Sequence, residues 1–170
     1  ATENTNLAGV LNADTGVVGV TGTTLNATTL SGAGTLRFAG AVTGTGITQT
    51  GTGLTDFDGG IDLDALTVDT RDVRIGAASN LGSLDIVTGT LTADAAIDVT
   101  DTLTQSGGLL TGSGTVTSVG AATFSGGSQG GTGTTAIGTT TLLTGGSDEF
   151  SSSIAIDSGS EEFSSTAIDS

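Results

Sequence analysis

The sequence predicts an all-β protein, a parallel β-solenoid with rungs of about 18–19 residues. Aliphatic residues alternate with Thr, Asp and Ser, as in residues 63–69, and such alternation is typical of strands that are buried on one side. Glycine recurs every few residues and no run carries an apolar stripe of helical period, so helices are not expected. A repeat of constant length decides among the all-β architectures.

The repeat is about 19 residues long. Residues 106–115 carry glycines at positions 107, 108, 112 and 114, and residues 125–134 carry them again at the equivalent positions 126, 127, 131 and 133. A third copy begins at Thr144, and aliphatic residues keep a step of about 18–19 residues back towards residue 10, so about seven repeats run to residue 146. One such repeat holds about three short strands joined by tight turns, which is one solenoid rung; a propeller blade needs about twice that length.

Stacked rungs place equivalent residues directly above one another, so the repeat predicts the core. One rung alone cannot offset its chain entropy, and stability therefore belongs to the stack, with the open ends as its weak points. Three inward ladders are expected: Ile47, Leu66, Leu84, Leu103 and Ala122; Leu54, Val73, Leu91 and Leu110; and, on the third side, Ile61 or Leu63, Ile97 or Val99, and Val116. An outward polar ladder is expected at Thr29, Thr48, Thr67, Asp85, Thr104 and Thr123.

Composition and charge exclude most function classes. The chain has no His, Cys, Met, Trp, Tyr, Pro or Lys, so the usual general bases, nucleophiles and soft metal ligands are missing. We therefore expect no enzymatic activity and no cofactor, and 3% aromatic residues are too few for the groove of a polysaccharide-cleaving β-helix. A net charge of −15 disfavours nucleic acids and anionic membrane surfaces as partners. No stretch approaches the roughly 20 apolar residues that insertion as a membrane helix requires.

Composition also indicates a compartment. An acidic chain that is rich in Thr and Gly and lacks cysteine and lysine is typical of bacterial extracellular proteins. The sequence begins at Ala1 rather than at Met, as a processed product or an excised fragment would, and a removed signal peptide would fit. We expect a secreted protein, extracellular or on the cell surface.

Residues 103–117, LTQSGGLLTGSGTVT, followed by residues 122–127, ATFSGG, resemble the repeats of large bacterial surface and secreted adhesins of the filamentous-haemagglutinin and autotransporter type. The likeness extends over residues 28–146. It implies a right-handed parallel β-helix that is exported and presented outside the cell, with roles in adhesion, biofilm or surface fibres. It designates no individual binding residue.

A change of composition at residue 147 divides the chain into repeats over residues 1–146 and a Ser/acid-rich tail over residues 147–170. The tail holds two similar amphipathic segments, around Phe150 and Phe163, whose offset is shorter than that of the rungs. It is either a linker or the start of another array, or it caps the solenoid or pairs with a neighbouring molecule. In the capping and pairing reading, the assembly residues are Phe150, Ile154, Ile156, Phe163 and Ile168.

One acidic run could bind a metal ion. Asp56, Asp58, Asp62 and Asp64 lie close together in the sequence and could supply oxygen ligands to Ca²⁺. The run matches neither an EF-hand nor the calcium β-roll repeat. Alternation sends Asp62 and Asp64 to the same solvent face, so solvating charges are the alternative.

Threonine pairs two residues apart could form an ice-binding surface, or they could be ordinary strand residues that face solvent. Pairs such as Thr48/Thr50 resemble the hydroxyl arrays of ice-binding proteins, but the equivalent pair one rung later is Thr67/Asp69. An ice-binding face would have to tolerate that interruption.

The three arginines are expected to make local charge pairs. Arg71 and Arg74 lie beside Asp69 and Asp72, and Arg37 stands alone on its rung. Exposed pairs of this kind contribute about 0–1 kcal/mol.

Together these patterns predict a non-enzymatic extracellular structural protein, a subunit or segment of a bacterial surface fibre, stalk or matrix. We expect it to self-associate through solenoid ends or tail into a homo-oligomer or filament. The alternative is an adhesin or binding module that recognises a glycan or host receptor through a flat Thr/Asp face, with ice binding as a further possibility.

Overall fold

The computed structural model describes residues 5–21, 23–138, 140–144, 149–150, 153–156 and 162–164, and the side chains of residues 7–21 and 23–138. All regular secondary structure in these residues is β-strand. None of them forms a helix long and apolar enough to cross a membrane. The fold is a parallel β-solenoid of about seven turns, which confirms the predicted class.

The strands of the described residues form two sheets. The larger sheet has 13 strands: β1 (Thr5–Asn12), β3 (Thr23–Ser31), β5 (Val42–Gly44), β6 (Ile47–Gln49), β8 (Ile61–Val68), β10 (Ser79–Ile86), β12 (Ile97–Gln105), β14 (Thr115–Ser118), β15 (Ala121–Phe124), β17 (Thr134–Ile137), β18 (Thr140–Thr144), β20 (Ser153–Ile156) and β21 (Glu162–Ser164). The smaller sheet has eight: β2 (Val17–Val20), β4 (Thr35–Phe38), β7 (Leu54–Phe57), β9 (Asp72–Ile75), β11 (Thr90–Ala93), β13 (Leu109–Gly112), β16 (Ser128–Gln129) and β19 (Glu149–Phe150).

Each rung contributes three strand segments, which stack on three faces. The two halves of β8 pair with different strands, residues 61–63 with β5 and residues 66–68 with β6. We call the segments stacked on residues 61–63 the first face, those stacked on residues 65–68 the second face, and the eight-stranded sheet the third face. Through the repeats, each residue pairs in parallel with its equivalent on the next rung, as Leu66 does with Leu84 and Leu84 does with Leu103.

Two of the three expected inward ladders are confirmed. On the second face Ile47, Leu66, Leu84, Leu103 and Ala122 lie in register, and all are buried. On the first face both alternatives at each rung are buried, because residues two apart on a strand point to the same side. The buried first-face residues are Ile61, Leu63, Ile97, Val99 and Val116.

The expected ladder on the third face is wrong at one position. Val73 lies in register with Thr55, not with Leu54, and Thr55 is fully buried. Leu54 lies in register with Asp72 and is only half-buried. The buried equivalent of Leu36 on the next rung is therefore Thr55. A threonine is tolerated in this core position because buried polar side chains bond its hydroxyl.

The outward polar ladder is confirmed on the second face. Its members lie in consecutive register, and each is exposed or half-buried. From the first rung to the last they are Thr29, Thr48, Thr67, Asp85, Thr104 and Thr123. We refer to these six residues as the threonine ladder.

Glycine is required where one rung passes close over the next. Gly112 ends β13 in register with Ala93 and has a φ of +123°, a conformation that side chains rarely adopt. A Cβ at this position would overlap the carbonyl oxygen of Ala93. Gly19 differs, because it has no positive φ and a Cβ there meets no atom within 4 Å.

We predict that Gly112→Ala lowers the free energy of unfolding by about 2 kcal/mol or more, since backbone strain of this kind costs about 1–3 kcal/mol before the overlap with Ala93 is added. Gly19→Ala is the matched control and should change stability by about 0.5 kcal/mol or less. Urea unfolding followed by circular dichroism measures both. Equal losses in the two variants would contradict the close-packing explanation.

Candidate functional sites

A buried arginine lies at the centre of the first half of the solenoid. The Arg71 side chain is 0% exposed. Its Nε donates to Thr55 Oγ1 at 2.8 Å and its Nη1 donates to the Gly32 carbonyl at 2.6 Å. Its Nη2 donates to the carbonyls of Gly34 and Leu54, both at 2.7 Å. Neutral oxygens thus receive all of these bonds.

Arg71 was expected to pair with a neighbouring aspartate, and that prediction is wrong. The side chain lies inside the turn between the second and third faces and reaches back over the two preceding rungs, 39 residues away at Gly32. Gly53 makes room for it, since a Cβ there would lie 2.7 Å from Arg71 Nη1. Burial lowers the pKa of Arg71, yet four charge-assisted bonds to oxygen hold the guanidinium inside.

Buried glutamines accompany the buried threonines at two places. Thr55 donates to Gln49 Oε1 at 2.8 Å, and Thr135 donates to Gln129 Oε1 at 2.8 Å, in both cases across six residues. Gln49 Nε2 is buried and has no acceptor within the described residues. These polar residues occupy inward positions where the repeat pattern predicts aliphatic residues. A glutamine in an inward phase six residues before a threonine accompanies both pairs, but the same spacing at Gln105 and Thr111 does not produce a buried threonine, so the spacing alone is not a signal.

An ionic ladder runs along the outside of the third face. Arg37, Asp56 and Arg74 lie in register on β4, β7 and β9, so charges of opposite sign alternate. Arg74 Nη1 lies 3.0 Å from Asp56 Oδ1, and Arg74 Nε lies 2.8 Å from Asp94 Oδ2. Arg37 Nη2 lies 2.5 Å from Asp58 Oδ2. Arg37 is thus paired with the next rung. Arg74 makes ion pairs as expected, but its partners lie on the rungs on either side and not at the neighbouring positions Asp69 and Asp72.

The proposed calcium ligands fall on two different faces. Asp56 lies on β7 of the third face, Asp58 follows that strand, and both make ion pairs with Arg37 and Arg74. Asp62 and Asp64 lie on β8, alternate with buried residues and are exposed. In the part of the chain that the structure describes, no three acidic side chains are arranged to hold a metal ion. Calcium binding by these four residues stays a prediction.

The tail strands continue the stack. Strands β19, β20 and β21 pair in parallel with β16, β17 and β18, respectively. The described strands of the tail thus pair with the preceding rung, and its two segments do not pair with each other. Four of the assembly residues take register positions above the preceding rung: Phe150 on Gln129, Ile154 on Thr135, Ile156 on Ile137 and Phe163 on Leu143. Ile168 lies outside the described residues. A role of these residues in assembly stays a prediction.

One member of the threonine ladder is a titratable group. Asp85 lies in register between Thr67 and Thr104. Burial raises the pKa of Asp85, and the charge of neighbouring Asp69 raises it further. The ladder thus contains a carboxyl group whose ionised form is less favourable than usual.

No protein-family model, curated protein or solved structure shows significant similarity to this chain. Its architecture therefore rests on its own periodicity and geometry.

We predict that Arg71→Ala lowers the free energy of unfolding by about 2–4 kcal/mol, because it opens a cavity and removes several hydrogen bonds from a charged donor. Arg37→Ala is the control, since the Arg37 side chain is 57% exposed and its ion pairs contribute about 0–1 kcal/mol. Chemical denaturation measures both. A loss of stability in Arg37→Ala as large as that in Arg71→Ala would contradict the stabilising role of the buried Arg71 hydrogen bonds.

We predict that Asp85→Asn stabilises the fold at neutral pH. A carboxyl group whose pKa is higher in the folded state binds more protons there, so stability falls as the pH rises from the unfolded to the folded pKa. The variant should be more stable than the wild type above that window and equally stable below it. Thermal unfolding between pH 3 and pH 8 measures this difference, and a constant difference over the whole range would exclude Asp85 as its source.

Proposed function

We propose that the protein is a non-enzymatic structural component of the bacterial cell exterior, a segment of a surface fibre, stalk or matrix that self-associates. The observation that carries this proposal is the stack of parallel strands, in register apart from bulges at two strand pairs, which builds a continuous core and an outer surface of repeating ladders. Such stacks are extended in one dimension and gain stability from each added rung. This geometry suits a mechanical or scaffolding role.

The chemistry of the described surface supports a role without catalysis. Its arginines are buried or in ion pairs, and its outward ladders consist mainly of threonine, serine and aspartate. A cavity of about 10 Å³ beside Leu110 and Val116 has room for no more than about one water molecule. A substrate pocket in proteins usually encloses about 300–1,000 Å³. We infer that binding, where it occurs, uses a face and not a cleft.

The first described rung supports association through rung edges. Leu7, Leu11, Val18 and Val20 pack against the core from this rung and stay partly exposed. Strands β1 and β2 end the two sheets there, so within the described residues each has a strand partner on one side. A further rung would cover the four aliphatic side chains and pair the backbone groups that have no strand partner among the described residues.

The extracellular location and the likeness to filamentous-haemagglutinin and autotransporter adhesins remain part of this proposal. A parallel solenoid whose strands stack about 19 residues apart is the architecture that the resemblance implies. The acidic composition without cysteine or lysine agrees with a secreted protein.

A second candidate is an adhesin that binds a glycan or a receptor through a flat face. The observation that favours it is the threonine ladder, which presents hydroxyls at the strand spacing of about 4.8 Å along the second face. The same ladder is the place to look for ice binding, although Asp85 interrupts it. Glycan-array binding that survives disruption of the assembly would favour this candidate over a fibre role.

We predict that the chain forms oligomers or filaments in sedimentation velocity and negative-stain electron microscopy. The partly exposed core residues of the first rung and the exposed strand edges should drive the assembly. Leu11→Asp, which puts a charge into this end of the core, should shift the population towards monomer, whereas Thr15→Asp in the following turn should not. A monodisperse monomer across ionic strengths and in Ca²⁺ would contradict the proposal.

A further inference from the structure

The three faces of the solenoid differ in charge. On the first face Asp62, Asn80 and Asp98 lie in register, so carboxylates stand two rungs apart along one outward line. Asp64 is exposed between the first and second faces. Two copies that met through the first face would bring these lines of negative charge together, and like charges at an interface cost affinity.

The third face is charged and uneven. It presents the ionic ladder of Arg37, Asp56 and Arg74, whose long side chains are 40% exposed at Arg74 and 57% exposed at Arg37. Ordering such side chains against a partner costs conformational entropy. The charged side chains of this face already have partners in its own ion pairs.

The second face is nearly uncharged. Its outward residues from β3 to β15 are short, and within the stacked segments Asp85 is the charged one, although exposed Asp101 precedes Thr102 on β12 and Asp69 follows β8. They form the threonine ladder and, beside it, the in-register series Ala65, Ser83, Thr102 and Ala121. Val10 lies in register with Thr29 on the preceding rung, next to the start of the threonine ladder, and is 72% exposed. In a chain with a net charge of −15, this is the face on which two copies can approach with the least repulsion.

We propose that the second face is a lateral docking surface for a second copy of this chain, packed ladder to ladder. The inference rests on the proposed function, because it names the surface through which solenoids associate side by side. Two such faces can pack about 10 Å apart with short side chains interdigitated, as stacked sheets do. A regular strand spacing on both copies lets every rung make the same contact.

The size of the face sets the strength of the contact. Six rungs at about 4.8 Å and strand segments of about four residues at about 3.3 Å give roughly 400 Å² per copy. Stable interfaces bury about 800 Å² per partner. A pair of these chains should therefore associate weakly, and the contact should gain strength in longer assemblies in which many rungs dock together.

Asp85 is the charge that opposes this docking. On one side of Asp85, strand β8 places Thr67 in register, and Asp69 follows that strand. On the other side, strand β12 places Thr104 in register, and Asp101 lies earlier on that strand. Ladder-to-ladder packing with rungs level brings the Asp85 carboxylates of two copies towards each other. Because Asp85 has a raised pKa, it takes up a proton before an ordinary aspartate as the pH falls. Docking should therefore strengthen as the pH falls towards the pKa of Asp85.

The test compares two variants with the same change of charge. Asp85→Thr completes the threonine ladder, and Asp98→Thr removes a carboxylate from the first face. Sedimentation velocity at neutral pH and physiological salt should give self-association roughly tenfold tighter for Asp85→Thr than for Asp98→Thr, since facing like charges penalise an interface strongly. Equal self-association of the two variants would overturn the docking surface.

A second pair of variants works without removing a carboxylate. Thr104→Arg puts a long charged side chain into the threonine ladder, and Thr117→Arg puts one on the first face in register with Asp98. At the pH of strongest wild-type association, the first should abolish lateral association and the second should leave it intact. Equal loss in both overturns the proposal. Association that persists unchanged in all four variants also overturns it while the proposed self-association stands, whereas a wild type that is monomeric at every pH removes both.

Discussion

Parallel backbone pairing between rungs is the interaction on which the rest of the structure depends. Each residue lies above its equivalent on the preceding rung, so the side chains of one rung form continuous lines with those of the next. This register creates the aliphatic core, the threonine ladder and the ionic ladder at once. It also explains why glycine is needed at positions such as Gly112, where a Cβ would touch the rung before it.

The class of fold and most of the core could be predicted because the repeat length is nearly constant. A ladder such as Ile47, Leu66 and Leu84 follows directly from counting. Counting failed at Leu54, where the step length changes and two adjacent candidates, Leu54 and Thr55, compete. Hydrophobicity favoured leucine, and only the buried bonds of Thr55 to Gln49 and Arg71 make the threonine the inward residue.

The candidate sites were harder to predict, because they depend on contacts between rungs. Sequence neighbours suggested aspartate partners for Arg71, but its acceptors come from the two preceding rungs. Arg37 and Asp58 are 21 residues apart, so their ion pair was not evident from the sequence either. The four aspartates from Asp56 to Asp64 look like one cluster in sequence, yet the turn after β7 sends them to different faces. Periodicity predicts which residues stack, whereas side-chain partners across rungs depend on how each turn places its residues.

Arg71 gives the solenoid a coupling that a simple stack lacks. In a repeat protein whose units contact only their neighbours, terminal units can open one at a time. The Arg71 guanidinium binds carbonyls of both preceding rungs, so opening the rung of Gly32 breaks bonds to a rung that lies beyond its neighbour. We therefore expect residues 32–71, about two repeats of chain, to open together, and fraying that starts at the first rung to stop at this block.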